Sequence, residues 1–121
     1  MATLLVNAGK AIVTNRIKGA GTEPVYNAWG TGAGTTGVTD TTLFTETGTR
    51  SAGTSTQQTT SVTNDTYQVV GTMTAAGALA ITNAGLFDAS TSGNLFVKGD
   101  FSTINLGTGD SIQFTFKVQF S

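Results

Sequence analysis

The sequence predicts an all-β fold, an antiparallel β-sandwich of jelly-roll-like kind with a short N-terminal helix or arm. Three observations predict it. In the last dozen residues Ile112, Phe114, Phe116, Val118 and Phe120 share one parity, while Ser111, Gln113, Thr115, Lys117 and Gln119 share the other. Strand side chains alternate between two faces, so this stretch has one apolar and one wet face, which a helix would smear around its circumference. The same alternation recurs upstream, with Tyr67, Val69, Gly71 and Met73 on one parity and Leu95, Val97, Gly99 and Phe101 on another. Short runs of this kind, separated by turn residues, are the pattern of an antiparallel sandwich or jelly roll.

Taken in order, Leu4, Leu5, Ala8, Ala11, Ile12 and Asn15 have helical spacing, which predicts a short amphipathic helix over 3–16. Gly9 and the run Ile12-Val13-Thr14 weaken that helix, and an extended arm is the alternative. Pro24 pushes Glu23 toward extended backbone, and Val25–Trp29 reads as a short strand. Residues 30–61 are rich in glycine, threonine and serine, anchored only by Leu43 and Phe44, with Glu46 and Arg50 spaced for a local ion pair. A compact domain rarely carries so much thinly anchored chain, so 30–61 reads as a long loop and an interaction surface. Asn64-Asp65 signals a tight turn, and the glycosylation pattern Asn64-Asp65-Thr66 reads as that turn. Leu79 and Ile81 open another strand. Its alternation slips at Asn83-Ala84-Gly85 before Leu86 and Phe87, as at a β-bulge. Asp88–Gly93 makes a hairpin loop, and Ile104 and Leu106 add a short extended piece. On the run at 95–101, Phe96, Lys98 and Asp100 take the parity opposite the apolar one.

The expected organisation is an arm or helix at 1–18 and one β domain at 19–121. The expected core is Tyr67, Val69, Ile81, Leu86, Phe87, Leu95, Val97, Phe101, Ile112, Phe114, Phe116, Val118 and Phe120. The candidate interface is Leu4, Leu5, Ile12, Tyr26, Trp29, Val38, Leu43 and Phe44.

Composition narrows the chemistry. A chain of 121 residues suits one domain. It has no cysteine and no histidine, which removes disulfides, thiol nucleophiles, and the commonest general base and metal ligand. Only 11% of residues are charged and the net charge is −1, so no basic patch exists to neutralise nucleic-acid phosphates. Charge this sparse fits either a soluble β domain with a threonine-rich surface or a surface covered by neighbours, because interface cores are depleted of charge. The second is favoured, since a solitary domain normally keeps more charge for solubility. Gly32-Ala-Gly34-Thr-Thr-Gly37 satisfies a dinucleotide-loop spacing, but no helix-forming run follows to hold a pyrophosphate. Asp88 and Asp110 read as turn caps, and Asp88, Asp100 and Asp110 lack a calcium-loop spacing. Serines have no activating base nearby in sequence. No enzyme, no cofactor and no metal are expected, no membrane span is present, and no targeting segment appears, which places synthesis in a cytoplasm.

The order of segments adds a resemblance. Asn7-Ala-Gly9, Gly21–Gly32, Thr39–Glu46, Ile81–Asp88, Gly93–Val97 with Phe101, and Gly109-Asp110 before the last strand resemble small virion proteins of tailed bacteriophages. The resemblance covers nearly the whole chain and rests on glycine turns and strand anchors. It implies a capsid decoration, or cement, protein on the outer surface of the virion, clamping major capsid protein subunits as a homotrimer. The alternative it implies is a tail or fibre module that binds a host-surface carbohydrate. Tyr26, Trp29 and Tyr67 are the residues a sugar-binding or interface patch would use, and an aromatic plug at the sandwich mouth is the equally weighted reading of them. No active-site residue comes with it.

Overall fold

A computed structural model describes residues 3–121. Eight strands and one helix follow each other as β1 (Thr3–Leu5), α1 (Asn7–Ile17), β2 (Tyr26–Gly30), β3 (Glu46–Ala52), β4 (Thr54–Gln58), β5 (Thr66–Thr74), β6 (Leu79–Phe87), β7 (Leu95–Leu106) and β8 (Ser111–Gln119). They form two antiparallel sheets, one of five strands in the order β1-β7-β6-β2-β3 and one of three in the order β4-β5-β8. The fold is an all-β sandwich with one short helix, as the alternation predicts. Gly53, between β3 and β4, takes the chain from one sheet to the other.

The core between the sheets matches the parity reading closely. Val69, Ile81, Leu86, Val97 and Phe116 are buried there beside Trp29 and Phe96, and Tyr67, Phe101, Ile112, Phe114 and Val118 pack half-buried against them. Each fully buried aliphatic or aromatic side chain removes enough apolar surface from water to contribute about 1.5–3 kcal/mol. Asn27 is also buried in this layer, and its Nδ2 donates to the Ser51 carbonyl at 3.2 Å. Gly71 makes room for it, since a Cβ there would stand 2.0 Å from Asn27 Nδ2. The glycine that interrupts the apolar parity of β5 is therefore a packing requirement.

Four expectations need correction. Phe120 does not join the core. It follows the end of β8 and is 47% exposed. The helix begins at Asn7 rather than Thr3, because Thr3–Leu5 pairs with Lys98 and its neighbours as an edge strand. Gly9, read as a weakness in the helix, lets α1 lie against β7, since a Cβ there would sit 2.1 Å from the Phe96 carbonyl oxygen. Residues 30–61 are not one loop. Their second half forms β3 and β4, whose threonines are good strand formers that carry no apolar parity because both strands lie at sheet edges.

The first half, residues 31–45, is a strap over the outer face of the five-stranded sheet. There Leu43 joins Val6, Ala28, Phe87 and Leu95 in a second buried cluster, with Tyr26 packed against it. The alternation predicts this face as the wet side of β7, yet Lys98 is fully buried. The strap buries Lys98, and a bulge exchanges its neighbours. Leu86 pairs with Val97 but Phe87 with Leu95, so Phe96 is an extra residue turned into the core, while Leu95 and Phe87, expected between the sheets, lie in the outer cluster.

Candidate functional site

Two features of the surface follow from how these elements end. The first is the strap, which is pinned residue by residue. Thr31 and Gly32 donate to the carbonyls of Thr45 and Phe44, closing the base of the strap. Asn83 accepts the Phe44 amide at 3.0 Å and returns its own Nδ2 to the Phe44 carbonyl at 3.1 Å. Thr36 donates its amide to Asp100 Oδ1 at 3.1 Å, and Asn7 donates to Val38. Lys98 Nζ donates to Asp40 Oδ2 and to the Thr42 carbonyl, both at 2.9 Å, and lies 3.3 Å from the centre of the Phe44 ring. The hydrogen bond from Lys98, then the Gly37 amide, holds the Asp40 carboxyl below the usual carboxylate range. The hydrogen bonds from Thr36 do the same for Asp100. Such a strap is a structural clasp, with its cation desolvated and committed.

The second feature is the end of the sandwich capped by α1. The helix crosses the opening where β5 begins and β8 ends. Beneath and beside it runs a groove of about 430 Å³ lined mainly by Ile12, Val13, Tyr67, Phe96, Pro24 and Phe120, with Arg16, Ile17, Glu23 and Gln57 at its borders. Tyr67 meets Phe96 edge to face at 5.8 Å, which gives the groove a rigid aromatic floor. The Tyr67 hydroxyl donates to the Pro24 carbonyl at 3.0 Å. Burial, then the nearby Glu23 charge, pushes that hydroxyl well above the ordinary tyrosine range. Arg16 donates to the Gly21 carbonyl at 3.0 Å and Glu23 accepts the Ser55 hydroxyl, so both charges are oriented from the rim.

The same end exposes apolar side chains. Ile17 is 81% exposed and Phe120 47%. Val62, at 68%, belongs to the loop drawn against the C-terminal segment through Gln119 and Asp65. Three successive amides, of Thr60, Ser61 and Val62, donate to the Asp65 carboxylate, and these bonds hold it far below the ordinary range. The loop that presents Val62 is therefore a fixed shape.

Of the candidate interface residues, the structure brings few to the surface. Trp29, Leu43 and Ile12 are buried, at 2%, 5% and 5% exposure. Leu4, Leu5, Tyr26 and Phe44 are half-buried, Leu5 against the inner core, Tyr26 against the outer cluster and Phe44 against Lys98. Val38, at 45%, is the exposed one. Ile17 and Phe120 were missed as surface residues. Ile17 sits between Arg16 and Lys18, an apolar residue flanked by charges, and that was the available signal.

Among the described residues no group of three or more acidic side chains is placed to hold a metal ion, and no helix is long and apolar enough to cross a membrane. No known protein family, curated protein or solved structure matches this chain.

Proposed function

We propose that this chain is a non-enzymatic assembly subunit, a capsid decoration protein that binds major capsid protein on the outside of a virion head and stabilises it. The observation that carries the reading is the α1 end: an aromatic-floored groove lined in part by exposed Ile17 and Phe120, with exposed Val62 on the loop held against the C-terminal segment, on a chain with very little charge. Exposed apolar side chains gathered at one place mark interaction sites. A cement protein gains strength by engaging several shell subunits at once, so each contact can be modest. The groove is the contact we assign to the major capsid protein. The carbohydrate reading loses its main support, because Trp29 lies inside the core and offers no face to a sugar.

Heads lacking the protein, mixed with it and sedimented, test the reading. The wild-type chain should pellet with the heads in a saturable way and with little salt dependence, since few charges are available to screen. Ile17→Asp combined with Phe120→Ser changes exposed positions only and should abolish pelleting while the fold persists. Folded wild-type protein that never pellets with any head would sink the proposal.

A further inference from the structure

The two sheets are unequal, and the inequality falls on one flank. They share a corner where β3 passes into β4, so the five-stranded sheet, two strands wider, runs past the three-stranded one at the other side, where β7 and β1 lie. There β8 is the last strand of its sheet, paired with β5 over all nine positions from Ser111 to Gln119 and with no strand among the described residues on its other edge. A cleft of about 180 Å³ runs along that edge, between Phe114, Thr115, Phe116 and Lys117 on one side and Gly99 and Phe101 of β7 on the other. The edge lacks two of the usual protections, proline and a bulge, since β8 contains no proline and its pairing with β5 shows no register shift. Its one charge, Lys117, is exposed and makes no salt bridge among the described residues.

We propose that the free edge of β8 is a strand-addition site for a short extended segment of a partner polypeptide, apolar on its inward parity and carrying a carboxylate beside Lys117. This rests on the reading of the chain as an assembly subunit and supplies its second point of attachment. Main-chain hydrogen bonds to β8 provide the affinity, and alternate side chains entering the cleft provide the choice of partner. The inward positions would meet Phe101 and Phe114, whose rings lie 6.4 Å apart. The outward position beside Lys117 favours an acidic residue, because opposite charges across adjacent strands attract and like charges repel. A second copy pairing β8 to β8 is disfavoured by shape: the overhanging β7 and β1 of the two copies would approach the same space.

The probe is a capped heptapeptide of alternating valine and threonine with a central glutamate, titrated at millimolar concentration into isotope-labelled full-length protein. Chemical-shift changes and slowed amide exchange should concentrate in 113–118 and around Phe101. Lys117→Glu, at an exposed position, should weaken binding of this peptide by about threefold or more, and a lysine-centred peptide should then bind the variant better than the wild type. Absence of binding, perturbation centred elsewhere, or affinity indifferent to the charge swap overturns the proposal. A protein that pellets with heads but fails this titration would lose the strand site and keep the assembly role.

Discussion

Lys98 shows how a single residue governs a segment. Its ammonium is fully buried under the strap and is satisfied by Asp40, the Thr42 carbonyl and the Phe44 ring. Removing one partner of a buried pair leaves the other uncompensated, which costs more than the pair is worth. Asp40→Ala should therefore destabilise the protein by about 2 kcal/mol. Lys98→Met in the same background should recover much of that, as a double-mutant cycle by denaturant unfolding would show. The pH dependence has a definite sign. Asp40 and Asp100 have folded pKa values below their ordinary ones, so their stabilisation is complete above the ordinary carboxylate range and is lost as pH falls through the folded values. Acid should speed amide exchange at Thr36 and Gly37 before the sandwich itself unfolds. Tyr67 works in the opposite direction: its raised value gives stability that is present below the ordinary tyrosine range and is lost as pH rises. Tyr67→Phe should cost about 1 kcal/mol for the hydrogen bond to Pro24 and should flatten that alkaline loss.

At the scale of elements, β8 separates parity from burial. Phe116 and Phe120 share a parity, yet Phe116 is 8% exposed in the core and Phe120 lies past the last strand pair. Phe116→Ala should destabilise by about 3–4 kcal/mol. Phe120→Ala should stay within about 0.5 kcal/mol, the ordinary range for surface substitutions. Paired thermal melts check both, and equal shifts would contradict the placement. Gly71→Ala belongs to the same test. Its methyl would collide with Asn27 in the sheet-to-sheet layer, so a strand position that looks permissive should prove costly.

For the whole molecule, the proposed role requires more than one contact surface, and the groove at the α1 end and the edge of β8 lie on different parts of the sandwich. A closed three-fold would match the local symmetry of a shell, and we include a homotrimer in the proposal. Light scattering at tens of micromolar should give a mass of about three chains, or a monomer that becomes trimeric only on heads. A stable assembly of another order in solution would remove that part. The far-ultraviolet spectrum should be that of a β protein, with only α1 contributing helix.

The strand periodicity in β5, β7 and β8, the turn at Asn64-Asp65, the ion pair Glu46–Arg50 at 2.7 Å and the capping roles of Asp88 and Asp110 were all determined by the chain itself. Each depends on neighbours in sequence or on a two-residue alternation. The outer cluster, the burial of Lys98 and Trp29, and the exposure of Ile17 and Phe120 were decided only by tertiary structure. Alternation separates two faces of a strand but does not say whether something covers the second one. Here a strap with little apolar content covers it, using backbone and amide hydrogen bonds rather than grease, and hydrophobic patterning has no view of those bonds. The candidate site was hidden for the related reason that exposure at the α1 end depends on where the helix and the end of β8 meet, a long-range fact that no local pattern encodes.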